Sequence, residues 1–136
     1  MRQLALLTLA ALPALCQAPD GRFAGTWQAK VKDSVICTID IHVNGKITGS
    51  IHDCRIQVDH DGNLQEPDEP APHGDPTPIA KPRVDGDTLT FETKDETDPD
   101  WTTLEFRLKS NVAADLTIPH APMKINPIRF TRTPKA

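Results

Sequence analysis

The sequence predicts an all-β fold: an antiparallel up-and-down meander of about seven to nine short strands, closed into a small barrel or a flattened sandwich. Three observations predict it. Apolar and polar residues alternate with a period of two through most of residues 23–132. Turn signals recur between the alternating runs, Asn44-Gly45 being the strongest. After residue 18 no run carries a helix-length 3.6 periodicity. Strands joined mostly in sequence order close readily on themselves, and closure removes exposed sheet edges.

The first run places Phe23, Gly25, Trp27, Ala29 and Val31 on one face and Thr26, Gln28, Lys30 and Lys32 on the other. The second repeats the pattern with Val35, Cys37, Ile39, Ile41 and Val43 against Thr38, Asp40 and His42. Ile47, Gly49 and Ile51 continue the apolar face beyond the Asn44-Gly45 turn. The phase then slips, because Cys54, Ile56 and Val58 are apolar at even positions. One extra residue near His52-Asp53, a β-bulge or a barrel corner, accounts for the slip and turns Cys54 to the same side as Cys37. Residues 59–82 hold six prolines and six acidic residues and read as a long solvated loop. Val84, the Asp85-Gly86-Asp87 turn, and Leu89 and Phe91 resume the alternation. Asp95–Asp100 is an acidic loop ending at Trp101. Leu104, Phe106 and Leu108 form the next apolar face, then Val112, Ala114, Leu116 and Ile118, and finally Ile128, Phe130 and Arg132.

Residues 1–18 set the expected compartment. Arg2 precedes an apolar run, Leu4–Leu15, that is too short to span a bilayer and is followed by small residues. This is the layout of a secretory signal peptide, with cleavage between residues 16 and 19. A single domain, 19–136, is then exported to a periplasm or secreted. Lipid anchoring at Cys16 is disfavoured by Leu15, where a small residue is expected. No apolar stretch remaining after cleavage is long enough to cross a membrane.

The chain has 15 Lys+Arg against 19 Asp+Glu; without Arg2 this is 14 against 19, a charge of −5 with His neutral. The absence of a basic tract argues against nucleic acid or an anionic membrane surface as partner. Cys37 and Cys54 are an even pair in an oxidising compartment, so a disulfide is expected; shared metal ligation and two buried thiols are the alternatives.

Gly25-Thr26-Trp27 on the first strand resembles the strand start of the calycins, the lipocalin-like small barrels. The resemblance implies that Trp27 plugs one end of the barrel and that a basic residue of the last strand covers its ring. Arg132 shares the inward phase of Ile128 and Phe130 and is the matching candidate. The chain is also similar to small exported bacterial proteins of unassigned role, through residues 44–49 (NGKITG), 84–91 (VDGDTLTF) and 129–132 (RFTR). It is short for a lipocalin and carries an unusual Pro-rich insertion.

The apolar phase carries no nucleophile, base and orienting group in combination, so no catalytic residue and no cofactor are assigned. Asp40, His42, His52 and Asp53 are the best polar cluster, and their residue types suit a divalent transition metal; a solvated strand face is the alternative. Residues 59–63 (DHDGN) begin like a calcium loop but break its pattern, leaving a hairpin turn on Asp61-Gly62. Two function classes remain. A small apolar ligand would sit in or at the barrel mouth, with Ile39, Ile41, Phe91, Phe106, Leu116 and Phe130 as candidate lining. Alternatively, another exported protein would be bound by the outer face and the 59–82 loop. A monomer is expected in both cases. An open interior favours the first class and a filled one the second.

Overall fold

The computed structural model describes residues 21–71, 73–94 and 99–134. The expected signal segment 1–18, Cys16 and most of the Asp95–Asp100 loop lie outside the described residues. The chain forms β1 (Gly25–Val31), β2 (Ser34–Val43), β3 (Ile47–His52), β4 (Gln57–Val58), β5 (Leu64–Gln65), β6 (Thr77–Pro78), β7 (Ala80–Asp85), β8 (Thr88–Thr93), β9 (Thr102–Leu108), β10 (Ala113–Thr117) and β11 (Ile128–Arg132). Nine of these make one antiparallel sheet in the order β6-β3-β2-β1-β11-β10-β9-β8-β7, and β4-β5 is a separate hairpin. The two edge strands, β6 and β7, are separated in the chain by Ile79 alone. The Ile79 N–H donates to the Gly49 carbonyl at 3.0 Å, so one path follows β3 and then β8. The meander is thereby nearly closed into a barrel. Among the described residues no helix is long and apolar enough to cross a membrane.

Local chemistry sets the turns. Lys32 and Asp33, at φ 50° and 70°, make the tight β1–β2 reversal, whose two left-handed residues match the twist of paired strands. Gly45, at φ 79°, supplies the left-handed position of the β2–β3 turn at the Asn44-Gly45 signal. The core is the inward phase of the alternation: Trp27, Ala29, Cys37, Ile39, Ile41, Leu89, Phe91, Leu104, Phe106, Ala114, Leu116, Ile128 and Phe130 are all buried.

Two expectations need correction and one pair of alternatives is decided. Val35 does not point inward; it is 37% exposed, while Ile36 is 1% exposed. The register explains this. Ala29 pairs with Cys37 and Lys30 with Val35, leaving Ile36 as an extra residue that inverts the side of everything before it. Second, of the two readings of the slip at His52-Asp53, the structure has the corner and not a bulge within a continuing strand. β3 ends at His52, and Asp53, at φ 51°, turns the chain. Cys54 still reaches Cys37, and the two form a disulfide. The Arg55 N–H then closes on the bulged Ile36 carbonyl at 2.7 Å. Third, residues 59–82 are not one solvated loop. Residues 80–82 belong to β7, and 57–65 form the β4–β5 hairpin.

That hairpin is built from its own side chains. The Asp59 carboxylate accepts from the Asp61 and Asn63 N–H groups, both at 2.9 Å, and Gly62 takes φ 87°. Asn126 pins the turn from outside, its N–H on the Gly62 carbonyl at 2.9 Å and its amide on Asn63 Oδ1 at 2.8 Å. Ile56, Leu64, Ile118 and Ile125 pack against the core from this side.

Gly49 marks a close approach of two strands. It pairs with Ile41, and a Cβ at this position would run into the Asp40 carbonyl oxygen. Gly49→Ala is expected to cost about 1–3 kcal/mol, the usual range for forcing extra volume into packed structure. Urea unfolding of the variant measures this; an unchanged midpoint would show that β2 and β3 yield freely.

Candidate functional site

The barrel interior bears on both function classes. Ile39, Ile41, Phe91, Phe106, Leu116 and Phe130 are each no more than 2% exposed. Phe106 presents its ring edge-on to Trp27 at 5.1 Å between centroids, and Phe106 meets Phe130 at 5.9 Å. Edge-to-face pairs at these separations are mutually attractive and pack the interior with ring on ring. The six candidate lining residues face one another as core.

One end of the barrel is sealed by the segment that begins it. Phe23 and Trp27 are fully buried, and the indole N–H donates to the Phe23 carbonyl at 2.9 Å. Gly25, at φ 136°, carries the chain into β1 beside the Arg132 side chain. Trp27 pairs with Arg132 across β1 and β11, and the guanidinium carbon lies 4.4 Å from the centre of the Trp27 ring system. Arg132 also donates to the Ala24 carbonyl at 2.8 Å and to the Arg22 carbonyl. Its burial, with no carboxylate to offset it, pulls the guanidinium pKa down.

The outer face of β1–β3 holds the polar cluster. Thr26, Asp40 and Ser50 are cross-strand neighbours, as are Gln28, Thr38 and His52. The Thr26 hydroxyl donates to Asp40 Oδ1 at 2.6 Å. His52 bridges two carboxylates, Nε2 to Asp40 Oδ2 at 2.8 Å and Nδ1 to Asp53 Oδ2 at 3.2 Å. Both contacts are satisfied together by the doubly protonated ring. Partial burial is the largest single influence on His52 and opposes its charge. The two carboxylates, by hydrogen bond and by charge, outweigh it and raise the pKa above the ordinary 6.5. Asp53 is lowered below 3.8, chiefly by its hydrogen bond to His52 and with help from His73.

A strap lies over this face. Residues 66–71 line a cleft of about 290 Å³ with Ser34, Val35 and Ile36. Pro70, Ala71 and His73 line a second, of about 320 Å³, with Gln28, Thr38, His52 and Asp53. His73 Nδ1 reaches Asp53 Oδ1 at 3.4 Å although the His73 side chain is 91% exposed. Thr38, outward on its strand, is only 4% exposed, which agrees with a covered face.

The four metal candidates are not all brought together. Asp40, His52 and Asp53 meet, but as an ion-pair chain in which both imidazole nitrogens already face carboxylates. His42 is exposed and directly opposite Thr48. Among the described residues no set of three or more His, Cys, Asp or Glu side chains is arranged to hold a metal ion. The sequence reading missed His73 as a partner of Asp53, because a histidine between prolines gives no signal of where its loop returns.

Opposite pKa shifts define a pH window. Asp53, being lowered, adds stability above its ordinary 3.8 and loses it as pH falls through its folded value. His52, being raised, adds stability below 6.5 and loses it as pH rises through its folded value. The cluster therefore stabilises most between these values. The stability gap between the native chain and His52→Gln is expected to be widest between pH 3.8 and 6.5 and to narrow as pH rises through the raised His52 value. Urea titrations at several pH values measure it; a gap independent of pH would show that the bridge carries no charge.

Comparison with known proteins finds no match among family models, curated proteins or solved structures. The fold and the side chains therefore carry the functional reading.

Proposed function

We propose that this chain is an exported interaction module that binds another exported protein through the strap and the outer face of β1–β3. The packed interior carries this reading: a carrier of a small apolar ligand needs lumen space, and here Phe91, Phe106 and Phe130 fill that space at 0% exposure. The disulfide supports export, since such bonds persist in oxidising compartments. Trp27 beneath Arg132, after Gly25, supports a lipocalin-like reading of the barrel without its ligand cavity.

The strap supplies the contact chemistry. Glu66, Asp68 and Glu69 are exposed around the prolines at 67 and 70, on a segment that lies against β2. Prolines restrict the backbone before binding, so less conformational entropy is lost on docking. The acidic side chains select a basic partner surface.

Native mass spectrometry of protein isolated from its own source tests the proposal, run beside a Glu66→Lys, Glu69→Lys variant. A bound protein lost in the variant is the expected result. A stoichiometric small molecule retained by both forms would overturn it and restore the barrel-carrier reading. A protein bound equally by both would place the contact elsewhere.

A further inference from the structure

A cleft lined by basic side chains lies at the sealed end of the barrel, away from the end where the chain leaves β3 to form the strap. We propose that the cleft between Arg22, Lys109 and Arg132 is a binding site for a small oxyanion of the phosphate type. The cleft has a volume of about 320 Å³, and Asp87, Ser110 and Asn111 complete the part of its lining that matters here. Three cationic side chains thus meet one carboxylate, in a chain whose net charge is −4.

Arg132 supplies the fixed charge. Its guanidinium is held by two main-chain carbonyls and the Trp27 ring, none of which carries a negative charge. Among the described residues no carboxylate lies within ion-pair reach of it. Its Nε–H is buried and has no hydrogen-bond partner. This fixed positive charge in the lining of the cleft is therefore not neutralised by a carboxylate, and its orientation is set before any ligand arrives.

The flanking groups complete a donor set. Arg22 is fixed by Asp87 at 2.7 Å and by the Gly86 carbonyl at 3.0 Å, which cancels the one acid in the cleft. Lys109 sits at the start of the β9–β10 turn, 4.0 Å from Asp115, a separation that leaves its ammonium able to swing. Asp115 is already bonded to Arg129 at 2.6 Å. The Ser110 hydroxyl and the Asn111 amide add neutral donors of the kind that satisfy oxyanion lone pairs. A phosphate group needs this combination of fixed charge, movable charge and short-range donors. Free phosphate, a soluble phosphate ester and a lipid headgroup share that chemistry.

The test is a titration of the full ¹⁵N-labelled chain with inorganic phosphate, read at the Arg132 Nε–H and Trp27 Nε1–H resonances. Saturable shifts with phosphate, absent with chloride at matched ionic strength, are expected. Lys109→Gln should weaken binding by roughly tenfold, the loss of one charge-assisted hydrogen bond. Asn111→Asp, on the exposed turn, serves as a second variant that adds repulsion. In parallel, the chain is sedimented with phosphatidylglycerol vesicles and with phosphatidylcholine vesicles. Co-sedimentation with the anionic vesicles alone assigns a headgroup as the source, and binding of free phosphate without vesicle binding assigns a soluble ligand. No saturable response in either arm, or affinity unchanged in both variants, overturns the proposal.

Discussion

Trp27→Ala is expected to lower the unfolding free energy by about 3–5 kcal/mol, the range for truncating a large buried aromatic. The side chain is fully buried, so the whole indole volume becomes a cavity unless the barrel end collapses. Its N–H also ceases to hold the Phe23 carbonyl, leaving the turn before β1 less fixed. Phe106 loses its edge contact in the same stroke. Arg132→Ala is expected to cost less, on the order of 1–2 kcal/mol, because that side chain is only partly buried and its stem, not only its charge, covers the ring. The two effects share a contact, so a double-mutant cycle should return a coupling of about 0.5–2 kcal/mol. Urea denaturation of the two single variants and the double variant measures it. Strictly additive losses would mean that the guanidinium lies over the ring without stabilising it.

The alternation made most of the barrel legible, and the places where it misled share one physical cause. A period-2 pattern states which residues share a face only while the backbone stays regular. Ile39, Ile41, Phe91, Phe106, Leu116 and Phe130 lie in regular ladder and are buried as the pattern requires. At Val35 the pattern is just as clean, yet Ile36 bulges and takes the buried place. Two β-branched residues in succession fit either phase, so composition alone does not locate the extra residue.

The 59–82 segment shows a second limit. Its prolines and charges correctly exclude a central strand, but they are silent about docking. What holds the segment is long-range: Asn126 on the Gly62 turn, Leu64 and Ile56 against the core, His73 beside Asp53. None of these pairs is close in sequence. The cluster on the outer face was half visible for the same reason. Asp40 and His52 follow from the β2–β3 register, whereas His73 requires the path of the returning loop.

Removing the disulfide, by Cys37→Ala with Cys54→Ala, is expected to lower stability by about 3 kcal/mol, as for a closed loop of this length. The cysteines are 17 residues apart, and the loop they close contains all of β3. In the oxidised chain that hairpin cannot expand fully on unfolding, so the unfolded state is restricted. The variant should accordingly show a lower urea midpoint and a larger denaturant slope, because its unfolded chain exposes more surface. A local effect accompanies the global one. Cys54 anchors the root of the strap just after Asp53 turns the chain, and the next residue, Arg55, bonds to the Ile36 carbonyl at the bulge. Without the covalent tie, opening of residues 53–57 needs only local hydrogen bonds to break. Native-state trypsin cleavage at Arg55 should therefore rise more steeply than global unfolding accounts for. Thiol titration of the denatured, unreduced protein supplies the control, since Cys37 and Cys54 should contribute no free thiol. If both titrate freely, or if the double variant keeps its midpoint and its resistance to trypsin, then the hairpin and not the bond fixes the strap to the barrel.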